Sequence, residues 1–253
     1  MLPPHTEDYL IDKKIKIFQP VDGYRAAIDA VLLSAMVTLP KNDGKILDVG
    51  SGTGAVSLCL AHRCQHQDMT VIGLELQPDL VELSNNSATQ NNFDFLHFYH
   101  TDISKKPDPA ICPPCSFDVV VSNPPYSDHD MPSPNPSKSA AHNHSSLNLT
   151  AWLKFCIKAT KPSGYIHLIN RTEALTEICT AVAGICGGLK ILPIYSKTGQ
   201  NSKRIIVSMQ KDSKAPLQIL PPLTIHKPDG SYTEQAQEIL RNGKSIAEVL
   251  TLP

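Results

Sequence analysis

Four consecutive residues, Asn123-Pro124-Pro125-Tyr126, carry the chemistry most directly named from residue type. An exocyclic or amide-type nitrogen is a poor nucleophile because its lone pair is delocalised. An Asn side-chain oxygen and a proline carbonyl can both accept hydrogen bonds from such an NH2 group, which draws the nitrogen towards tetrahedral geometry. Prolines lack an N–H and fix φ, so acceptors placed there stay where the fold sets them. The Tyr126 ring offers a face on which a planar base or amide can stack. A plain Pro-Pro turn is the alternative reading. The stretch directly follows Phe117–Ser122, FDVVVS, a continuous apolar run expected of a strand buried on both faces of a parallel sheet. The four residues are therefore expected at the carboxyl end of a central strand.

A second constellation ends 69 residues before Asn123. Asp48-Val49-Gly50-Ser51-Gly52-Thr53-Gly54 lies between the apolar run from Lys45 and a helix-like stretch, AVSLCLAHRC. Glycines there allow a tight turn and a close approach of ligand to backbone. The spacing alone also fits an unliganded turn or a dinucleotide fingerprint, since Glu75 stands 21 residues after Gly54. A carboxylate at Asp48 would repel a pyrophosphate, whereas a ligand bearing a sulfonium and an ammonium is partly cationic. Asp102, in TDIS, closes the next strand candidate. Together these acids favour S-adenosylmethionine, with Glu75 at the ribose hydroxyls and Asp102 at the adenine amino group.

The elements that must position these residues alternate along the chain. Residues 26–37, AAIDAVLLSAMV, predict a largely buried helix. Strands are expected at 45–49, 70–76, 93–100, 117–122, 165–170 and 205–210, and helices at 55–64, 78–91, 149–160 and 172–186. The fold class expected is α/β: a Rossmann-like, doubly wound, mostly parallel sheet of seven strands with helices on both faces. One domain spans 1–253, with a lead segment at 1–44 and a C-terminal extension at 217–253 that ends in a helix over 233–241. Residues 127–141, rich in proline, form a long loop after Tyr126, and such loops are often functional.

Composition narrows the class. The chain has 253 residues, 41% of them hydrophobic and 19% charged, which suits a folded core. No apolar run reaches the roughly 18 residues that span a bilayer, and no signal-peptide core is present, so a cytoplasmic protein without membrane contact is expected. The seven cysteines read as free thiols. Cys112 and Cys115 form a C-x-x-C, but a zinc site needs two more ligands, for which only His97 and His100 lie upstream; no metal is expected. The formal net charge is −1, yet Lys138 to Lys214 holds 11 Lys+Arg against 3 Asp+Glu, leaving −9 for the rest. Lys138, Lys197, Lys203 and Arg204 are the candidate nucleic-acid contacts, because phosphate contacts supply most RNA affinity.

The glycine loop and Asn123–Tyr126 together resemble the N6-adenine and N5-glutamine methyltransferases. Residues 19–34, QPVDGYRAAIDAVLLS, the stretch from Lys138 through LNLTAWLKFCIKATKPSGYIHLI, and PLTIHKPDGSYTEQAQEIL are similar to the bacterial tRNA (valine) N6-adenine methyltransferase family. The similarity runs from about residue 10 to residue 243. It implies that Asp48, Gly50, Ser51, Gly52, Thr53, Gly54, Glu75, Asp102 and Asn123 bind S-adenosylmethionine. It implies that Asn123, Pro124, Pro125 and Tyr126 hold a tRNA adenine that is flipped out or already unstacked, as in an anticodon loop. Arg25 and Asp29, on the lead helix, would close over the methionine end of the cofactor. The chain departs from many relatives after Tyr126, where it carries Lys138, His142 and His144. Two other readings stand beside this one. A release-factor glutamine N5-methyltransferase would need a helical N-terminal domain, for which some 45 residues leave no room. A non-catalytic RNA-binding protein would not need an intact Asn123 and glycine loop. A monomer is the preferred state.

Overall fold

The computed structural model describes residues 2–23, 25–40, 43–65, 67–125 and 147–250. The chain opens on a hairpin, β1 (His5–Leu10) and β2 (Ile15–Pro20), followed by α1 (Ile28–Met36). Next come β3 (Gly44–Val49), α2 (Ala55–Cys64), β4 (Met69–Glu75), α3 (Pro78–Gln90), β5 (Leu96–His100) and β6 (Phe117–Ser122). After them stand α4 (Leu149–Ala159), β7 (Thr160–Arg171), a one-turn helix Thr172–Ala174, α5 (Leu175–Val182), β8 (Cys186–Lys197) and β9 (Arg204–Lys211). The tail adds β10 (Gln218–Ile219), β11 (Leu223–His226), α6 (Glu234–Leu240) and α7 (Ile246–Leu250).

The sheet order is β5-β4-β3-β6-β7-β9-β8, with β10 and β11 both pairing along the outer edge of β8. Only β9 runs antiparallel to its neighbours β7 and β8. Helices cover both faces, so Ile46, Leu47, Val119, Val120 and Val121 are all almost fully buried. This is the expected doubly wound α/β sheet, with seven strands in the main array and two short ones added by the C-terminal extension. One core lies under α1, α2 and the tail helices; a second lies under α4 and α5. No helix among the described residues is long and apolar enough to cross a membrane.

Two segments differ from expectation. The helix foreseen over 172–186 stops at Val182, because Ala183 leaves helical geometry and Gly184 takes φ +76°. The chain then enters β8, a strand disguised by Gly187, Gly188 and Pro193, residues that ordinarily interrupt strands. The lead segment holds the β1–β2 hairpin as well as its helix. Ile15 and Ile17 bury its inner face. Its outer edge is met by side chains of α3: Phe18 N donates to Ser87 Oγ at 2.9 Å, and Lys16 N donates to Asn91 Oδ1 at 2.9 Å. Those bonds satisfy backbone groups that a bare edge strand would leave open.

Candidate active site

Strand register brings the two chemical constellations together. Val49 of β3 pairs with Leu74 of β4 on one side and Ser122 of β6 on the other. One step further along each strand stand Gly50, Glu75 and Asn123, side by side at the carboxyl edge of the sheet. Ligands of doubly wound sheets bind at this edge. Asp102 lies two residues past His100, which pairs with Glu75.

Hydrogen bonds lock this row. Ser122 Oγ donates to Val49 O at 2.7 Å, and Trp152 Nε1 donates to Ser122 Oγ at 2.9 Å. The indole of α4 thus fastens the residue before Asn123 to the residue before Gly50. Gly50 N and Ser51 N both donate to Leu74 O, at 2.9 and 3.0 Å. Gly52 N donates to Glu75 Oε2 at 2.8 Å, and Gln77 N donates to Glu75 Oε1 at 2.9 Å. Each Glu75 oxygen keeps a further lone pair, so the carboxylate is oriented but still able to accept from hydroxyls. Ser122, Trp152 and Phe98, whose ring fills the space that side chains at Gly54 and Gly73 would occupy, are site-building residues that the motif reading passed over. Trp152 carried one usable signal: it is the only tryptophan of the chain.

The remaining expected residues fall into distinct places. Asp48 sits beneath the glycine turn, 1% exposed, and Ser57 Oγ donates to its Oδ2 at 2.7 Å. Burial pushes its carboxyl up to about 7, against the Ser57 hydrogen bonds that favour the charged form. Thr53 is buried in the same turn. Asp102 is half-buried; Ser104 Oγ donates to it at 2.6 Å and Lys105 Nζ lies at 3.2 Å, which hold its carboxyl below the usual range. Pro124 is buried and Pro125 exposed. Arg25 bonds Asp8 Oδ2 at 2.5 Å and Thr6 Oγ1 at 2.9 Å on the hairpin. Asp29 and Arg204, foreseen in separate roles, are partners, with Arg204 Nε 2.7 Å from Asp29 Oδ2. Both line a cavity of about 140 Å³ with Ile28, Lys203 and His226. Lys203 is exposed, and Lys197 donates to Pro228 O at 3.2 Å. Tyr126, Lys138, His142 and His144 lie outside the described residues. Cys112 is buried and Cys115 exposed, both as free thiols. Among the described residues no three His, Cys, Asp or Glu side chains gather as a metal site would require.

The raised carboxyl at Asp48 has a thermodynamic consequence. Its folded-state value lies above the ordinary value of 3.8, so the proton is held more tightly in the folded chain. The stability this gives is complete below about pH 4 and is lost as pH rises through 7. Asp48→Asn keeps an acceptor for Ser57 and removes the titration. Thermal melts from pH 4.5 to 8 should show the wild type losing stability relative to Asp48→Asn as pH rises. A pH-independent difference would contradict the buried-acid assignment.

Residues 40–217 match the family model "Methyltransferase domain". The chain is 31% identical over 218 residues to a tRNA1(Val) (adenine(37)-N6)-methyltransferase of Actinobacillus pleuropneumoniae, covering 84% of this chain and 87% of that one. The chain belongs to this family of methyltransferases. A second relative of the same description, from Haemophilus influenzae, is 26% identical over 239 residues and aligns with 91% of this methyltransferase and 95% of its own length. A crystal structure of a "predicted O-methyltransferase" from Agrobacterium tumefaciens shares the fold, with TM-score 0.71 at 24% identity, covering 86% of this chain and 97% of that one.

The site of this methyltransferase fits S-adenosylmethionine on two observations. Ser51 Oγ is buried in the glycine turn with no hydrogen-bond partner among the described residues, a polar atom left for a ligand to satisfy. Beside it, a Cβ on Gly52 would meet nothing among the described residues within 4 Å.

Proposed function

We propose that this methyltransferase transfers the methyl group of S-adenosylmethionine to N6 of an adenine in the anticodon loop of tRNA. The observation that carries the reading is the row of Gly50, Glu75 and Asn123 on three adjacent strands. The relatives' description as tRNA1(Val) (adenine(37)-N6)-methyltransferases supports the choice of substrate.

When bound, S-adenosylmethionine supplies an electrophilic methyl on a sulfonium. The protein's own contribution is geometric. The glycine turn, Ser51 and Glu75 would hold the cofactor, with Asp102 as the further acid on that side of the edge. The Asn123 side-chain oxygen and the Pro124 carbonyl accept from the substrate amino group, freeing the nitrogen lone pair to point at the methyl carbon. Tyr126, by residue type, would offer a ring face to the base. The amino nitrogen, once methylated, would carry a positive charge and lose its proton to solvent, so the Asn123 and Pro124 acceptors would be engaged most strongly at that stage. No base of matched pKa is needed, because positioning supplies the rate. In this reading the chain works as a single cytoplasmic domain and as a monomer.

The test separates RNA from protein as acceptor. The enzyme is incubated with methyl-labelled S-adenosylmethionine, tRNA from cells lacking its gene, and the protein fraction of those cells. Label is expected in the tRNA. Label confined to protein would overturn the reading in favour of glutamine methylation.

A further inference from the structure

The carboxyl edge of the sheet is divided by charge, with Asn123 at the boundary. On the β4–β5 side the strand ends carry Glu75 and Asp102. On the other side cations stand at four strand ends: Arg171 closes β7, Lys203 precedes β9 and Arg204 opens it, Lys197 closes β8, and Lys227 follows His226 at the end of β11. Register shows that these ends stand above the cleft. Ser122 pairs with Leu168, so Asn123 is level with Ile169, and Ile169 pairs with Ile206, which pairs with Leu192. Arg171 is two residues beyond that level and Lys197 five, a rise of about 7 and 17 Å at the strand repeat. Across the sheet, β11 lies four strands from β6, about 19 Å at the usual strand spacing.

The outer part of this lip comes from outside the matched methyltransferase domain, which ends at residue 217. β11 pairs with β8 through Leu223–Ile194 and His226–Lys197, which places Lys227 next to the end of β8. The turn after it is fixed: Lys227 N donates to Ser231 O at 2.8 Å, His226 stacks on Tyr232 with ring centres 5.2 Å apart, and Lys197 Nζ donates to Pro228 O at 3.2 Å. Arg204 has a different part. Its bond to the buried Asp29 ties β9 to α1, so it braces the lip. Among the described residues the acids at these strand ends are Asp229, whose carboxylate accepts from Ser231 N and Oγ, and Glu173 on the turn after β7. Lys197, Lys203 and Lys227 outnumber them among the described residues.

We propose that this raised lip, from Arg171 to Lys227, is the docking surface for the tRNA backbone, and that the C-terminal extension serves to complete it. The inference rests on the tRNA reading above and adds where the rest of the molecule lies. The partly cationic cofactor occupies the acidic half of the edge and the polyanion occupies the basic half. The target base enters the cleft from a strand whose phosphates run along the lip. Phosphate contacts of this kind fix register without reading sequence.

The test compares two triple charge reversals with the same net charge. One is Lys197→Glu/Lys203→Glu/Lys227→Glu on the lip. The other is Lys158→Glu/Lys190→Glu/Lys214→Glu, at exposed positions away from it. Binding of a fluorescent tRNA transcript is measured against salt, alongside S-adenosylmethionine affinity, melting temperature and methyl transfer. The lip variant should bind tRNA at least about tenfold more weakly, with a salt dependence shallower by about two units of slope, while cofactor affinity stays unchanged and melting falls only by the loss of the exposed Lys197–Pro228 bond. The control should bind as wild type does. Equal weakening in both, or in neither, overturns the lip. Lip-dependent binding without methylation of any tRNA by the wild type would overturn the proposed reaction and leave the lip standing.

Discussion

Asn123→Ala is expected to lower kcat for tRNA methylation by about a thousandfold while leaving S-adenosylmethionine affinity within about twofold of wild type. The asymmetry follows from position. Asn123 is the first residue past β6, next to the glycine turn, and the turn is held by bonds to β4: Gly50 N and Ser51 N to Leu74 O, Gly52 N to Glu75. Removing the Asn123 amide takes away an acceptor that matters most when the substrate nitrogen becomes tetrahedral and cationic. Its loss therefore falls on kcat more than on KM. Single-turnover transfer and calorimetric titration of the cofactor check the two halves. A variant that keeps its kcat, or that loses cofactor binding in proportion, would refute the acceptor role.

Gly50→Ala is expected to damage the fold and the cofactor site together. Gly50 adopts φ +72°, a conformation costing an L-residue on the order of 1–2 kcal/mol. A Cβ there would also stand 2.7 and 2.8 Å from ring atoms of Trp152. That ring is 7% exposed and held by its bond to Ser122, so it cannot simply swing away. Overpacking adds on the order of 1–3 kcal/mol, and the sum corresponds to a fall in melting temperature of roughly 5–15 °C for a chain of this size. Trp152→Leu in the same chain removes the clash and leaves the backbone strain. The double variant should therefore be more stable than the sum of the two single losses predicts. Strict additivity would show that the ring is not what the new methyl meets.

The sequence made the centre of the molecule legible and left its margins dim. FDVVVS reads as a buried parallel strand because both its faces are apolar, and its observed limits, Phe117–Ser122, are the expected ones. The glycine turn and Asn123 were placed at strand ends by the same logic, and strand register then made them neighbours. The hairpin at 5–20 escaped notice because its inner face is carried by few residues, Ile15 and Ile17 foremost, and its outer edge is satisfied by α3, far away in sequence. β8 escaped because its glycines and proline are turn signals in any local window; only pairing with β9 makes a strand of them. Charge told a similar story. The excess of lysine and arginine after residue 138 was visible, but the Asp29–Arg204 bond, which assigns Arg204 to bracing, joins residues 175 positions apart and belongs to tertiary structure alone.

The central claim is transfer of a methyl group to an adenine N6 of tRNA at the edge where Gly50, Glu75 and Asn123 meet. Nucleoside mass spectrometry of tRNA after incubation with the enzyme and isotope-labelled S-adenosylmethionine tests it most directly. Labelled N6-methyladenosine is expected, located in an anticodon-loop fragment and absent with Asn123→Ala. Label on another base, on the ribose, or at undiminished level with Asn123→Ala would contradict it.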